Sequence, residues 1–254
     1  MLVHYHIRES ILYSHDYSSN GCGGGANGCE KSSKGLRLWV HVPFANELMQ
    51  LLPADLPFRE ECVAGASRHL QLIVEANQHF NLTRIVDPRE AAIKHVVDSV
   101  LPWRLFADAG QVADAGSGAG FPGVPLALVL PGTRFVLLES TQKKARFLES
   151  VVRELGLGNV EVRAVRAEEW LIGHRVDIVT ARAVAPLNRA AALFAPALRG
   201  GGRVLLYKGP DAATEIGEAS AETAKRRLRM RIIERYELPD ALGTRSVVEM
   251  RRVE

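Results

Sequence analysis

The stretch Asp114-Ala115-Gly116-Ser117-Gly118-Ala119-Gly120-Phe121-Pro122-Gly123 decides the fold. An apolar run, Gln111–Ala115, precedes it and predicts a strand, while Val124–Leu130 after it predicts a helix. Glycines let backbone N–H groups come close to a ligand and permit positive φ. Gly118 to Gly123 also fits G-x-G-x-x-G, so a dinucleotide reading stays open at this point. The next apolar strand, Phe135–Glu139, ends on a carboxylate, where ribose hydroxyls are held in doubly wound sheets. Strand, glycine loop, helix and acid together favour a nucleoside site over a merely tight turn.

The rhythm continues outward from this loop. Further strands are predicted at Val160–Val165, Val176–Ala181, Arg203–Lys208 and Ser246–Arg251, and helices at Thr141–Leu155 and Leu187–Leu198. Alternation of this kind predicts an α/β fold with a parallel sheet wrapped by helices. Upstream, Glu47–Leu52 and Arg59–Phe80 predict helices, the second with Leu70, Ile73, Val74, Asn77 and Phe80 on one face. Asn81-Leu82-Thr83-Arg84 is a polar turn, with Asn81 as its capping residue. Pro88 then opens a helix that stops before Pro102. The start of the chain differs. Ser18 to Gly28 reads SSNGCGGGANG, the composition of a flexible linker. The division expected is a disordered extension over 1–45, a helical cap over 46–102 and the α/β domain over 103–254.

Composition narrows the class. Of 254 residues 47% are hydrophobic and 24% charged, which is ordinary for a soluble domain with a sizeable core. No run approaches the roughly 18 apolar residues of a membrane span, and the start lacks the pattern of a secretory signal. Three cysteines cannot build a disulfide framework and fit a reducing cytosol. Cys22 and Cys29 are seven apart without a C-x-x-C, and His4, His6, His15 and His41 lack a ligand spacing, so no metal is expected. The net charge of +3 is too mild to indicate nucleic acid. Locally the picture changes: Lys225 to Arg252 holds nine basic residues against four acidic ones, a surplus of +5. That raises RNA contact, although a solvated basic face is the usual meaning of the run KRRLRMR at Lys225–Arg231.

The chemistry is narrowed by what is missing. No tyrosine is followed four residues later by lysine, as short-chain dehydrogenases need, and no G-x-x-x-x-G-K-[ST] occurs. Asp114, Glu139 and Glu168 lie at or just beyond successive strand ends. Such acidity suits the cationic sulfonium of S-adenosylmethionine better than an anionic pyrophosphate.

Several ordered motifs then carry a resemblance: Asn77 to Thr83 (NQHFNLT), Lys94 to Ser99 (KHVVDS), Asp114 to Gly123, Leu137 to Ser140 (LLES), Arg166 to Glu169 (RAEE), Thr180 to Ala183 (TARA) and Tyr207 to Gly209 (YKG). From about Arg59 to the C-terminus the chain resembles the bacterial ribosomal RNA small subunit methyltransferase G family, also called glucose-inhibited division protein B. The resemblance implies a class I methyltransferase fold with a seven-stranded, mostly parallel, Rossmann-like sheet. It implies methyl transfer from S-adenosylmethionine to N7 of a guanine in 16S rRNA, by a cytoplasmic monomer acting on rRNA or the small subunit.

By the same resemblance Gly116, Gly118, Gly120 and Phe121 form the cofactor cradle and Glu139 holds the ribose. Ala167 and Glu168 lie beside the adenine, with Arg182 also in the cofactor site. Arg166, Lys208 and Arg245 match basic positions associated with activity and are assigned to the RNA side, together with His95. For His95, in a helical segment, a satisfied core histidine is the plainer alternative. Trp170 stands where a smaller aromatic is common, which bears on packing near the adenine. Guanine N7 carries a lone pair and no proton, so no general base is required and orientation should dominate. In agreement, every cysteine precedes the glycine loop and no [DNS]-P-P-[YFW] tetrapeptide occurs. Two other classes stay open on the residues alone: a nicotinamide-dependent oxidoreductase, and an RNA-binding module without catalysis.

Overall fold

In the parallel strands both faces are buried, and the chain's apolar runs explain why. Val112, Ala113 and Ala115 in β1 (Gln111–Ala115) and Phe135 to Leu138 in β2 (Arg134–Leu138) are at most 1% exposed. A computed structural model describes residues 44–253 apart from 86; these lie in one compact unit, Lys34–Glu254. The extension expected over 1–45 and its histidines and cysteines fall almost wholly outside the described residues.

The remaining strands are β3 (Val160–Arg163), β4 (Ile178–Arg182), β5 (Arg203–Lys208), β6 (Leu228–Glu237) and β7 (Thr244–Arg252). They form one seven-stranded sheet in the order β3-β2-β1-β4-β5-β7-β6. Strands β1 to β5 run parallel, and β7 inserts antiparallel between β5 and β6. The seven-stranded, mostly parallel sheet implied by the resemblance is therefore present. Strand order reverses between β1 and β4, and a crevice opens beyond the carboxyl ends of strands at such a point.

Among the described residues, three helices longer than a single 3-10 turn precede the sheet. They are α1 (44–51), α2 (Arg59–Asn77) and α3, which runs from Pro88 to Val100 with a π-helical stretch at Ala92–Val97. Helix α2 ends three residues short of Phe80 because the Asn77 side chain turns back on the following turn. Its Nδ2 donates to Thr83 O at 2.9 Å and its Oδ1 accepts Leu82 N–H at 2.8 Å. Asn77, not the exposed Asn81, thus fixes that turn. Asp87 caps α3, accepting the Glu90 N–H, and Pro88 follows at the first helical position. The other helices are α4 (Gly123–Val129), α5 (Gln142–Glu154), α6 (Ala167–Gly173), α7 (Leu187–Phe194), α8 (Ala212–Glu218) and α9 (Ser220–Lys225). One core joins α1 to α5 to the first sheet face; the second, centred on Val179, Leu206 and Phe194, lies under α6 to α9.

The basic run departs from its sequence reading. From Leu228 on it is the edge strand β6, whose Arg229 and Arg231 register with Arg251 and Glu249 of β7. Most of the local surplus therefore sits at the end of the sheet away from Lys208. Only Arg235 and Arg245, paired with Ser246 and Tyr236, lie at the Lys208 end.

Candidate active site

The glycine loop leaves β1 with Gly116, Gly118 and Gly120 all at positive φ, +71°, +59° and +104°. A side chain is disfavoured at each, and for two of them space adds to the reason. A Cβ on Gly116 would lie 3.0 Å from Val184 Cγ2, and one on Gly120 would lie 2.9 Å from Val124 Cγ2 and 3.0 Å from His69 Cε1. A Cβ at Gly120 would thus point to the interior, and the residue lines neither cavity of the cleft. At Gly123 a Cβ would lie 2.3 Å from Leu137 Cδ2 and 2.7 Å from Asp114 Oδ2, so its bareness lets α4 pack on the sheet.

Two carboxylates hold this loop. Asp114, wholly buried, accepts the Gly123 N–H on Oδ2 at 3.0 Å. Burial pushes its pKa up to about 6. Glu139, 6% exposed just past β2, accepts Gly118 N–H on Oε2 at 3.1 Å and Thr141 N–H on Oε1 at 2.7 Å. Each oxygen keeps a further acceptor site. From the other side His69 on α2 places its Nε2 2.7 Å from Ala119 O.

Gly116 sits where two cavities meet. The larger, about 500 Å³, is lined among others by Gly118, Phe121, Arg182, Lys208, Arg245 and His95. The smaller, about 130 Å³, is lined by Leu138, Ser140, Arg166, Ala167 and Glu168 among others. Gly116, Gly118, Phe121, Arg182, Lys208, Arg245 and His95 thus come together, as do Ala167 and Glu168. Arg166 does not join Lys208 and Arg245. It stands at the N-terminal boundary of α6 beyond β3, on the opposite side of β1, and lines the smaller cavity. Trp170 lines neither cavity and stacks on His174 at 4.0 Å. A third cavity, of about 450 Å³, opens at the other end of the sheet beside Gln111, Ile178 and Arg203, away from the glycine loop.

The wall of the larger cavity is built from α3. Phe121 is stacked by the His95 ring, centroids 4.6 Å apart and planes 9° apart, with the Arg182 guanidinium 5.3 Å from its centroid. His95 Nε2 lies 3.0 Å from Thr83 Oγ1. Burial first, and then the charge of Arg182, push its pKa down to about 3, so the ring is neutral near pH 7. It is a packed, hydrogen-bonded histidine that also faces the cleft.

Asp98 organises the cations, and sequence reasoning passed over it. Its side chain, 3% exposed, accepts Arg182 Nη1 on Oδ2 at 3.2 Å and the Tyr236 hydroxyl on Oδ1 at 3.0 Å, with Arg245 Nε 3.6 Å from Oδ1. Arg182 also donates to Lys94 O within the π-helical stretch at 2.8 Å, and Tyr207 donates to Ser99 O at 2.8 Å. The available signal was a lone acid among Val96, Val97 and Val100. Lys208 pairs with Glu215 at 2.6 Å and donates to Ala185 O at 3.2 Å. Among the described residues no group of His, Cys, Asp and Glu could hold a metal ion.

This donor set fits an adenosine attached to a cationic amino-acid chain. The smaller cavity and the Glu139 carboxylate suit the nucleoside, and the bare Gly116 backbone opens the way into the larger cavity. Comparisons with known proteins agree. A family model described as GidB, rRNA small subunit methyltransferase G, matches residues 63–240. The ribosomal RNA small subunit methyltransferase G of Solibacter usitatus is 71% identical over 210 residues, covering 83% of this chain and 100% of that protein. The protein of that name from Carboxydothermus hydrogenoformans is 36% identical over 207 residues, covering 78% of this chain and 87% of its own. Among solved structures, cofactor-bound Rv0187 from MTB matches with a TM-score of 0.50 at 20% identity, over 72% of this chain and 88% of that one. A mutant of MtNAS matches with a TM-score of 0.52 at 15% identity, over 77% and 75%. These two speak for the fold alone. With the family model spanning the glycine loop, Glu139, Arg182 and Lys208, and a relative matched over its whole length, this chain belongs to the rRNA small subunit methyltransferase G family.

Proposed function

We infer that the chain binds S-adenosylmethionine across the two cavities and methylates N7 of a guanine in 16S rRNA. The bound cofactor supplies an electrophilic methyl group. Glu139 holds the ribose hydroxyls with the acceptor sites its two amide hydrogen bonds leave free. Ala167 and Glu168 flank the adenine, and Gly116 and Gly118 leave room for the methionine part. The target base enters the larger cavity past Lys208 and Arg245.

The side chains around that cavity have no proton to remove, because N7 attacks through its lone pair. Their task is to orient the base for a near in-line attack. The methylated guanine carries a positive charge, and the cations nearby are arranged accordingly. Lys208 is paired with Glu215, and Arg182 and Arg245 share Asp98, so their charge is partly offset toward the base while the free N–H groups of Lys208 and Arg245 can meet phosphates. The chain acts as a monomer in the cytoplasm, and residues 44–253 carry the activity. No helix among the described residues is long and apolar enough to cross a membrane.

One observation carries the reading: the Glu139 carboxylate is locked by backbone amides of the glycine loop and of the turn after β2. Calorimetry tests it. S-adenosylmethionine should bind the native chain, the Glu139→Gln chain should bind it at least about tenfold more weakly, a loss of ~1.4 kcal/mol, and NAD should not bind. NAD binding in place of S-adenosylmethionine would overturn the reading.

A further inference from the structure

We propose that the chain carries a second RNA-phosphate site at the end of the sheet opposite the cleft, built from Arg175, Arg229 and Arg251. It rests on the rRNA substrate inferred above. Strands β1, β4 and β5 begin there, at Gln111, Ile178 and Arg203, around the cavity of about 450 Å³. Along β5, at roughly 3.3 Å per residue, this end is about 17 Å from Lys208.

The charge at this end is poorly balanced. Arg203, Arg231 and Arg251 converge on the one buried carboxylate of Glu249. Arg203 Nη1 and Arg251 Nε are 3.5 and 2.9 Å from Oε1, and Arg231 Nε is 2.9 Å from Oε2. Arg229 stands directly opposite Arg251 in the β6–β7 register. Like charges facing each other across a ladder destabilise it unless an anion lies between them. Arg175, exposed, lines the cavity with Arg203 and Arg251. Among the described residues neither Arg175 nor Arg229 has a carboxylate partner. Among the described residues the acids at this end are Asp108 and Asp177, which line the cavity, and Glu249; Asp177 is already engaged, its Oδ2 accepting the Gly110 and Gln111 N–H groups at 2.9 Å. Among the described residues, five arginines against these three carboxylates leave a surplus of two positive charges.

Guanidinium groups present planar forks that suit phosphate oxygens, and Arg229, exposed on the edge strand, is open to a long ligand. A phosphate between Arg229 and Arg251 would relieve their repulsion. The occupant is the ribose-phosphate backbone of the same rRNA whose guanine enters the cleft, since that polyanion reaches far beyond one base. Contacts of this kind position the substrate and read no sequence.

The experiment measures 16S rRNA affinity against salt, and KM and kcat for methyl transfer to small subunits, for the native chain, R175A/R229A and R175K/R229K. The alanine pair should lower the slope of log affinity against log salt by about one per arginine removed. It should raise KM several-fold, with kcat and S-adenosylmethionine affinity unchanged. The lysine pair should keep the native slope. An unchanged slope and KM in the alanine pair would overturn the proposal. So would unchanged rRNA affinity with lost binding to phosphatidylserine vesicles, which would assign the patch to a lipid surface. A native chain that leaves guanine N7 unmethylated while the alanine pair still lowers the rRNA salt slope would support the patch and refute the substrate reading instead.

Discussion

His69 Nε2 lies 2.7 Å from the carbonyl oxygen of Ala119, tying helix α2 to the glycine loop across fifty residues of sequence. The imidazole is fully buried, its ring 4.8 Å from Phe121, and it fills the space that a Cβ on Gly120 would need. Burial pushes its pKa down to about 4, so a neutral ring donates Nε2–H to the carbonyl. The hydrogen bond turns Ala119 O inward.

His69→Phe should leave that carbonyl without a partner, at a cost of roughly 1–3 kcal/mol, and weaken S-adenosylmethionine binding. His69→Gln, which keeps a donor at similar reach, should restore much of the affinity. Calorimetry on both variants checks this. Equal affinities in Phe and Gln variants would show that the ring acts only by filling space.

The glycines separate binding from stability. Gly116→Val should abolish cofactor binding at a modest cost of ~1 kcal/mol or more in backbone strain, because Val184 is 40% exposed and can yield. Gly123→Ala should instead lower Tm, because its Cβ meets buried Leu137 and Asp114; overpacking of this kind costs about 1–3 kcal/mol. Thermal unfolding and calorimetry on each variant test the split. Unchanged cofactor affinity in Gly116→Val would remove the cradle.

Much of this fold can be read from the chain, and the gaps have physical causes. The residues of β1 and β5, Gln111–Ala115 and Arg203–Lys208, fall where the apolar runs place them, because buried parallel strands are written in apolar residues. Strand β6 escapes such a reading. As an edge strand it carries Arg229, Arg231, Glu234 and Arg235, and it takes a register shift between Ile232 and Glu234. Helices α6, α8 and α9 are too short to show a clear period. Gly116 and Glu139 were legible because a local motif joins them. Asp98 and His69 were not, since their partners Arg182, Tyr236 and Ala119 lie 84, 138 and 50 residues away.

Acid should destabilise the protein. His69 and His95 have folded pKa values near 4 and 3, below the ordinary 6.5 of the unfolded chain. The unfolded state binds their protons first, so their contribution is complete above about pH 6.5 and is lost as pH falls toward 4. Asp114 opposes them. Its folded pKa of about 6 exceeds its ordinary value of 3.8, so its cost is full above pH 6 and fades below. Two histidines against one aspartate leave a net loss of about 1.4 kcal/mol per pH unit between pH 6 and 4. Tm measured over that range should fall with acid, less steeply for His69→Gln and more steeply for Asp114→Asn. Slopes indifferent to both changes would refute these assignments.

Lys208 and Arg245 should matter for RNA and not for the cofactor. Each lines the larger cavity and is held by a carboxylate, Glu215 and Asp98 respectively. Replacing either by Ala should weaken rRNA binding and flatten its salt dependence, with S-adenosylmethionine affinity nearly unchanged. A Lys208→Ala chain that loses the cofactor yet still binds the small subunit would show that Lys208 anchors the cofactor carboxylate.

The most direct measurement is methyl transfer from labelled S-adenosylmethionine to small ribosomal subunits prepared from cells lacking this modification, followed by nucleoside analysis of the 16S rRNA. The expected result is label in 7-methylguanosine alone, at one site per subunit, and none with the Gly116→Val chain. Label in another nucleoside, or no transfer from a chain that binds the cofactor, would contradict the assignment of this cleft to guanine N7 methylation.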